Sequence, residues 1–445
     1  MWLFNRLVYM ARPHDVYTCY RVTLWLALWL GIVPYYLTST SAGSSRLSAS
    51  YFGYFNIIFR MIVYVVNFVY SALDPRSLMS NFFLSDISNV IDGLQKVNGM
   101  FGIIAILLIS LAKRRKLLHV LAVFDCLERE SFPRVGITHH QGPAARRMNR
   151  LVLVMTGTTT AYITCSFLMI SMRDAGTFSI SSVISYFSPH FIVCAVCFLA
   201  GNLMIKLRIY LSALHKVLKN LSHQWDSHSL KGVVQKQRSL QCLDSFSMYT
   251  IVTKDPAEII QESMEIHHLI CEAAATANKY FTYQLLTIIS IAFLIIVFDA
   301  YYVLETLLGK SKRESKFKTV EFVTFFSCQM ILYLIAIISI VEGSNRAIKK
   351  SEKTGGIVHS LMNKTKSPEV KEKLQQFSMQ LLHLKINFTA AGLFNIDRTL
   401  YFTISGALTT YLIILLQFTS NSPHNSNGNY YSCCETFNNI TNHTN

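Results

Sequence analysis

Seven apolar stretches, each long enough to cross a bilayer, constrain this chain more than any other feature. The hydrocarbon core of a membrane is about 30 Å thick, so a helix rising about 1.5 Å per residue needs about 20 apolar residues to cross it. Stretches of that length lie at residues 50–73, 89–112, 150–171, 180–205, 281–304, 321–342 and 399–419. We therefore predict an all-α polytopic membrane protein with seven transmembrane helices.

An eighth apolar run, from Val22 to Leu37, is shorter and contains Pro34. We interpret it as a packed or interfacial helix before the first span, with a short membrane helix, and hence eight spans, as the alternative. The composition agrees with a membrane protein, because 51% of the 445 residues are hydrophobic and only 15% are charged. Soluble domains carry about 25% charged residues.

The basic residues indicate an orientation for the predicted spans. Of the 41 Lys and Arg residues, 31 lie in residues 1–49 and in the loops 113–149, 206–280 and 343–398, and only seven lie on the other side. Positive charge favours the cytoplasmic side, so the N terminus is predicted to be cytosolic and the C terminus extracellular. The exception is the basic loop Lys310–Lys318 on the outer side. Nucleic acid is not an expected partner, because the basic residues alternate with apolar runs and form no dense patch with stacking aromatics.

This orientation divides the chain into five predicted regions. A helix starting at Pro368 is predicted from the apolar stripe Val370, Leu374, Phe377, Leu381, Leu384 and Phe388, with Gly392 ending it. A second amphipathic helix is predicted to run from Ile259 into the fifth span. Because such apolar stripes need packing partners, we expect long membrane helices that continue into a cytosolic helical bundle. Solvated or membrane-surface helices are the alternative. The regions are a cytosolic N-terminal segment at 1–49, helices one to five with a ligand pocket in their extracellular half at 50–305, helix six and a cytosolic anchor at 306–398, a pore-lining helix at 399–419 and an extracellular tail at 420–445.

The last span carries a periodic polar face. Thr403, Thr410 and Gln417 recur every seventh residue and share one face with Ile414. An amide in hydrocarbon has to face protein or water, so four copies of this face could line a narrow wet conduit that either Ile414 or Leu415 closes by dewetting. Phe418 lies about 100° round the helix from Gln417. The alternative is an ordinary span in which Thr and Gln form hydrogen bonds between helices.

Polar residues also gather in the predicted outer halves of three other spans. Converging polar groups with aromatics nearby are typical of a small-molecule pocket. Hydrogen bonding between helices and interfacial anchoring by Tyr are the alternative explanation. The candidate ligand-binding residues are Asp92, Gln95, Lys96, Tyr186, His190, Asp299 and Tyr302.

The sequence shows no enzymatic motif and predicts no cofactor and no metal site. The adjacent pairs His139-His140 and His267-His268 cannot both face one metal from a regular helix. Cys194 and Cys197 lie inside an apolar span, where small packing residues are expected. Asn439 and Asn442 are candidate glycosylation sites in the tail if it is extracellular. The neighbouring Cys433 and Cys434 carry no assignment.

The end of the chain resembles the insect gustatory receptor family. Thr410-Tyr411, five hydrophobic residues and Gln417-Phe418 match the family's signature at every defined position. Residues 390–400 are similar to that family's approach to its seventh helix, and Leu30–Pro34 is similar to its N-terminal start. The C-terminal third is most similar to the branch that contains gustatory receptor 28.

This resemblance implies a ligand-gated, non-selective cation channel in the plasma membrane of sensory neurons, with roles that extend beyond taste. It implies a tetramer, formed by one chain or with other gustatory receptors, and a small-molecule tastant such as a bitter compound as ligand, with membrane lipid around it. Gln417 and Phe418 then belong to the gate region, and Thr410 and Tyr411 to the start of the motif. A metabotropic seven-helix receptor, with its N terminus outside, and a secondary transporter, with internal repeats, are the alternatives.

Overall fold

The computed structural model of the chain describes residues 15–39, 45–73, 86–137, 141–173, 180–229, 254–308 and 319–421. Within these ranges, seven helices are long and apolar enough to cross a membrane. Each contains one of the seven predicted apolar stretches, so the predicted fold class is confirmed. The orientation of the two termini stays a prediction.

The helices and strands follow the chain in this order. The N-terminal segment forms α1 (Val16–Cys19), α2 (Arg21–Trp29), β1 (Tyr35–Ser39) and β2 (Ser45–Ala49). The first two spans and the connection after them form α3 (Tyr51–Leu73), α4 (Asp86–Ala112), α5 (Arg114–Cys126), a π-helical turn (Leu127–Ser131) and α6 (Phe132–Arg134). The rest forms α7 (Gln141–Arg173), α8 (Ile180–Ser229), α9 (Pro256–Leu307), α10 (Thr319–Lys364), α11 (Pro368–His383), β3 (Thr389–Ala390), β4 (Phe394–Asn395) and α12 (Thr399–Asn421).

Three helices are much longer than a bilayer requires. The helices α8, α9 and α10 have 50, 52 and 46 residues, which corresponds to roughly 70–80 Å each, more than twice the hydrocarbon thickness. The apolar part of α8 lies at the centre of the bundle, with 83% of its residues buried, whereas only 6% of the residues in the apolar part of α12 are buried. The last span therefore lies at the edge of the folded chain.

The segment between α10 and α12 differs from the prediction in one respect. The helix α11 does begin at Pro368 and buries Val370, Leu374 and Phe377, but it ends at His383, and Phe388 reaches the core from the segment after it. Gly392 ends no helix, because it lies at φ +76° in the turn between the antiparallel strands β3 and β4. The apolar spacing continued past the helix end because the following segment is buried too.

The Val22–Leu37 run is packed, but only its first part is helical. The helix α2 ends at Trp29, and Gly31, at φ +74°, turns the chain towards the hairpin of β1 and β2. Arg60 on α3 closes this turn, because its guanidinium donates to the carbonyl of Trp29 at 2.6 Å. A charged residue within the first span is thus satisfied by protein backbone, as an intramembrane charge requires.

Candidate ligand site and pore-facing helix

Four spanning helices bring aromatic and polar side chains together in one buried group, which we call the aromatic–polar cluster. Its members come from α7, α8, α9 and α10, so no single stretch of sequence defines it. The cluster consists of Tyr162, Tyr186, Phe187, His190, Asp299, Tyr302, Phe325, Gln329 and Tyr333.

Gln329 on α10 holds two tyrosines of the cluster. Its side-chain oxygen accepts a hydrogen bond from Tyr162 Oη at 3.2 Å and a second, short one from Tyr186 Oη. The ring of His190 lies among them, with its centroid 5.4 Å from Tyr162, 5.7 Å from Tyr186 and 5.4 Å from Tyr333. The three helices α7, α8 and α10 are therefore joined through one amide and one imidazole.

Two titratable side chains of the cluster are buried without hydrogen bonds. His190 is 4% exposed and Asp299 is fully buried, and neither imidazole nitrogen of His190 nor either carboxylate oxygen of Asp299 has a hydrogen-bond partner among the described residues. The α9 neighbours of Asp299, namely Phe298 and Tyr302, belong to the same buried core group, so Asp299 lies beside it. A buried polar group without a partner costs about 1–3 kcal/mol, and more when it is charged. The cluster thus contains buried donors and acceptors that the described residues leave without a partner.

The structure gathers four of the seven candidate ligand-binding residues here, namely Tyr186, His190, Asp299 and Tyr302. The other three, Asp92, Gln95 and Lys96, lie on α4, which packs mainly against α9 and α3. The contacts described between members of the cluster join α7, α8, α9 and α10, and none of them involves α4. The side chain of Asp92 lies outside the described part.

The predicted pore face of α12 is not covered by the rest of the chain. Thr403, Thr410, Ile414 and Gln417 are all exposed. The Thr410 hydroxyl donates to the carbonyl of Gly406 at 3.0 Å, within its own helix. Among the described residues, therefore, the polar face forms no hydrogen bond to another helix. The backbone of Phe418 lies in α12, and its side chain is outside the described residues.

Another face of α12 contacts the aromatic–polar cluster. Leu412, Leu415 and Leu416 pack against the hydrophobic core that includes Tyr162, Phe187, Tyr302 and Phe325 of the cluster. The ring of Tyr411 meets Phe293 of α9 edge to face, with 5.8 Å between centroids. The last span thus has one side fixed to the cluster helices and one side free.

The linker before α12 is hydrogen-bonded to α9. The amide of Thr389 donates to Asn278 Oδ1 at 3.0 Å, Thr282 Oγ1 donates to the Thr389 carbonyl at 3.1 Å, and Ala391 N donates to Thr282 Oγ1 at 2.7 Å. Three hydrogen bonds therefore tie the β3–β4 turn to the same helix that carries Asp299.

A second attachment joins the start of α12 to α10. Arg398 donates from Nε to Glu342 Oε1 at 2.7 Å and from Nη2 to Glu342 Oε2 at 3.0 Å. These bonds raise the pKa of the Arg398 guanidinium above its ordinary value. The pair is bidentate, the geometry in which an exposed ion pair holds its orientation best.

Sequence reasoning missed a second buried polar group, which we call the ion-pair cluster. Lys206 Nζ, fully buried on α8, lies 2.7 Å from Glu128 Oε1 in the π-helical turn and donates to Gln141 Oε1 at 2.7 Å. Tyr210 Oη and Gln141 Nε2 both donate to the same carboxylate. Each charge here has a partner.

Metal binding has no support in the described ranges, which contain no group of three or more His, Cys, Asp or Glu side chains placed to hold an ion. Asn439, Asn442, Cys433 and Cys434 lie outside those ranges.

Comparison with known proteins gives one consistent picture. Residues 20–422 match the family described as 7tm chemosensory receptor. A Drosophila melanogaster protein named as gustatory receptor 28b is 59% identical over 97% of this chain and 92% of its own length, and one named as gustatory receptor 28a is 31% identical over 92% and 93%. Among solved structures, the olfactory receptor OR5 of Machilis hrabei in complex with eugenol superposes with a TM-score of 0.60 at 13% identity, covering 91% of this chain and 100% of that one.

Proposed function

The chain belongs to the 7tm chemosensory receptor family, and from this premise we propose that it is a gustatory receptor whose ligand opens a non-selective cation channel. As a multi-pass membrane protein with seven candidate spans, it has the architecture that such a channel needs. A tetramer of this chain, alone or with related receptors, would place four copies of α12 around one axis in the plasma membrane of a sensory neuron.

The two-sided environment of α12 carries this proposal. One face packs on the aromatic–polar cluster, while the face with Thr403, Thr410 and Gln417 is uncovered. The threonine hydroxyls are satisfied within the helix, but an amide such as that of Gln417 is costly when it is exposed to lipid, and copies of the chain around a water-filled path would relieve that cost. Ile414, between the polar positions, would form the apolar constriction that closes the path by dewetting.

The aromatic–polar cluster is the proposed ligand site. Asp299 and the His190 nitrogens lack partners among the described residues, so a ligand that donates hydrogen bonds to Asp299 and also carries an acceptor for the imidazole N–H would satisfy them. The surrounding rings suit a small, flat molecule. A bitter compound that carries a protonated nitrogen fits both features. Sites near Asp92, Gln95 and Lys96 stay a weaker proposal.

The helix α9 would connect ligand to gate. It carries Asp299 at the cluster and Thr282, which holds the β3–β4 turn, and these positions are about 26 Å apart along the helix axis. A ligand that draws Asp299 towards itself would shift α9 and so move the linker to α12. The Tyr411–Phe293 contact gives a second path between the two helices.

The proposed orientation has the N terminus in the cytosol and the C terminus outside. This places the cluster in the extracellular half and the ion-pair cluster at the cytoplasmic side. It also makes the part of region 306–398 that follows helix six a cytosolic anchor, with the tail after 419 outside. Tags on each terminus of intact cells would test it, and detection of both tags on one side would contradict it.

Recording from the purified protein in liposomes tests the channel itself. Ile414→Ala and Gln417→Ala are expected to raise basal leak or alter gating at unchanged protein incorporation, because both change the constriction. Ile338→Ala is the matched control, since Ile338 is equally an exposed apolar position on a spanning helix, α10. Currents that are unchanged in both α12 variants would contradict the pore assignment. Ligand responses that require added G protein would favour the metabotropic alternative, and uptake without unitary current steps would favour a transporter.

A further inference from the structure

Six basic side chains converge where α7, α8 and α10 leave the membrane on the predicted cytoplasmic side. These three helices pack against one another. Burial and the charges of Arg346 and Arg147 lower the pKa of the Arg208 guanidinium, and burial and the charges of Lys353, Lys219 and Arg208 lower the pKa of the Lys350 ammonium. Burial and the charges of Lys350, Lys219 and Lys353 also lower the pKa of the buried His215. We call this group the basic cluster: Arg147, Arg208, Lys219, Arg346, Lys350 and Lys353.

Helix packing fixes the geometry of the basic cluster. A Cβ on Gly343 of α10 would lie 3.0 Å from Met204 Sδ of α8, and His215 Nε2 of α8 lies 2.8 Å from Thr354 Oγ1 of α10. Both contacts join residues 139 positions apart, so the two helices run parallel in one register. Arg208, Arg346 and Lys350 lie between these two contacts, along the same helix pair.

The cluster has very little acidic compensation. Within the described ranges, only Arg346 of the six forms an ion pair, at 3.2 Å to Glu342. Both carboxylate oxygens of Glu342 are also bound by Arg398. The other acidic residue on this part of α10 is Glu352, whose exposed side chain forms none of the ion pairs of the basic cluster. Arg208 and Lys350 are half-buried, so solvent screens their charges less than those of the four exposed members.

The depth of the six residues forms two tiers. Arg147, Arg208 and Arg346 lie three or four residues outside their apolar stretches, about 5–6 Å beyond the hydrocarbon edge and within a headgroup layer of about 5–8 Å. Lys350, Lys353 and Lys219 lie eight to fourteen residues outside, or about 12–21 Å. The three arginines of the first tier therefore lie at the level of lipid phosphodiesters. The three lysines of the second tier lie at the level of headgroup substituents that project into water.

From this arrangement we propose that the basic cluster binds a phosphoinositide of the cytoplasmic leaflet. The arginines would hold the phosphodiester, for which their forked donors are suited, and the lysines would hold the phosphates on the inositol ring. Clusters of four to eight basic residues at this level attract multivalent anionic lipids. An ordinary phospholipid reaches only the first tier.

Binding to nanodiscs tests this proposal without any use of gating, so its failure and that of the channel proposal are distinguishable. Purified full-length protein is compared in phosphatidylcholine nanodiscs that contain either phosphatidylinositol 4,5-bisphosphate or phosphatidylserine at equal total charge, with bound lipid counted by native mass spectrometry. We expect selective retention of the bisphosphate, reduced at least tenfold in Arg208→Gln/Lys350→Gln. Lys366→Gln/Lys371→Gln, which removes the same charge from exposed cytoplasmic positions, is expected to bind as the original chain does.

Three outcomes would overturn the proposal. Equal retention of both lipids would show attraction by net charge alone. Equal losses in the two double variants would show the same. Full displacement by soluble inositol trisphosphate at the lipid's own affinity would assign the site to a free phosphate compound. The single variant Lys350→Gln, at a half-buried surface position, gives the same test at smaller amplitude if the double variant does not fold.

Discussion

The two buried polar clusters of this protein differ in whether their titratable side chains have hydrogen-bond or ion-pair partners. In the ion-pair cluster, Lys206 and Glu128 are paired, and Gln141 and Tyr210 complete the hydrogen bonds. In the aromatic–polar cluster, Asp299 and His190 are equally buried but have no hydrogen-bond partner among the described residues. The proposed ligand site is therefore the cluster whose buried polar groups the described residues leave without partners, and the structural cluster is the one whose groups are paired.

The largest effect is expected from Lys206→Met. Removing one partner of a buried ion pair leaves the other charge uncompensated, at a cost of about 3–5 kcal/mol of unfolding free energy. Thermal unfolding of purified protein in detergent measures this loss, and Lys216→Met, at an exposed lysine of the same helix, is the control. Lys206→Met/Glu128→Gln is expected to recover part of the loss. A melting temperature unchanged by Lys206→Met would show that the pairing contributes nothing to stability.

Asp299→Asn is expected to weaken ligand recognition without lowering stability, the opposite of Lys206→Met. It removes a buried carboxylate that has no hydrogen bond, so stability should stay constant or rise. Recognition of a ligand amine should weaken at least tenfold, which corresponds to about 1.4 kcal/mol. Aromatic amines paired with uncharged isosteres are the probes, and the ligand-induced shift in melting temperature is the measurement. A strong loss of stability in the absence of ligand would place Asp299 among the structural residues and erase the difference between the clusters.

The smallest effect is expected at the attachment between α10 and α12. Arg398→Gln removes a bidentate but solvent-exposed pair with Glu342, so basal open probability should change by only roughly two- to fivefold. Arg398→Lys keeps the charge and loses the fork, and it should fall between Arg398→Gln and the original chain in liposome currents. If charge alone matters, Arg398→Lys will match the original chain, and the bidentate geometry has no role in gating.

Much of this architecture follows from the sequence because its physical cause is local. The length of each apolar stretch is set by the bilayer, so all seven spans were predicted. The stripe from Val370 to Phe377 likewise predicted α11. The prediction that the helix continues to Phe388 was wrong. Phe388 is buried in the segment after the helix, and an apolar residue buried there fits the helical spacing as well as one on the helix does.

The clusters depend on contacts between distant residues, and the sequence shows them only in part. Gln329 is an amide inside the sixth apolar stretch, the same signal that drew attention to Gln417, but its partners Tyr162 and Tyr186 lie more than 140 positions away. Lys206 lies at the edge of the fourth apolar stretch and resembles an orienting loop charge until its partner in the π-helical turn is known. Pairing across helices has no periodicity from which it can be predicted.

Single-channel recording of the original chain and Asp299→Asn, side by side in liposomes, tests the central claim most directly. Titration with a stimulating amine is predicted to give the same unitary cation conductance in both, with the half-activating concentration at least tenfold higher in Asp299→Asn. Equal half-activating concentrations, or the absence of any ligand-evoked unitary current in the original chain, would contradict the account.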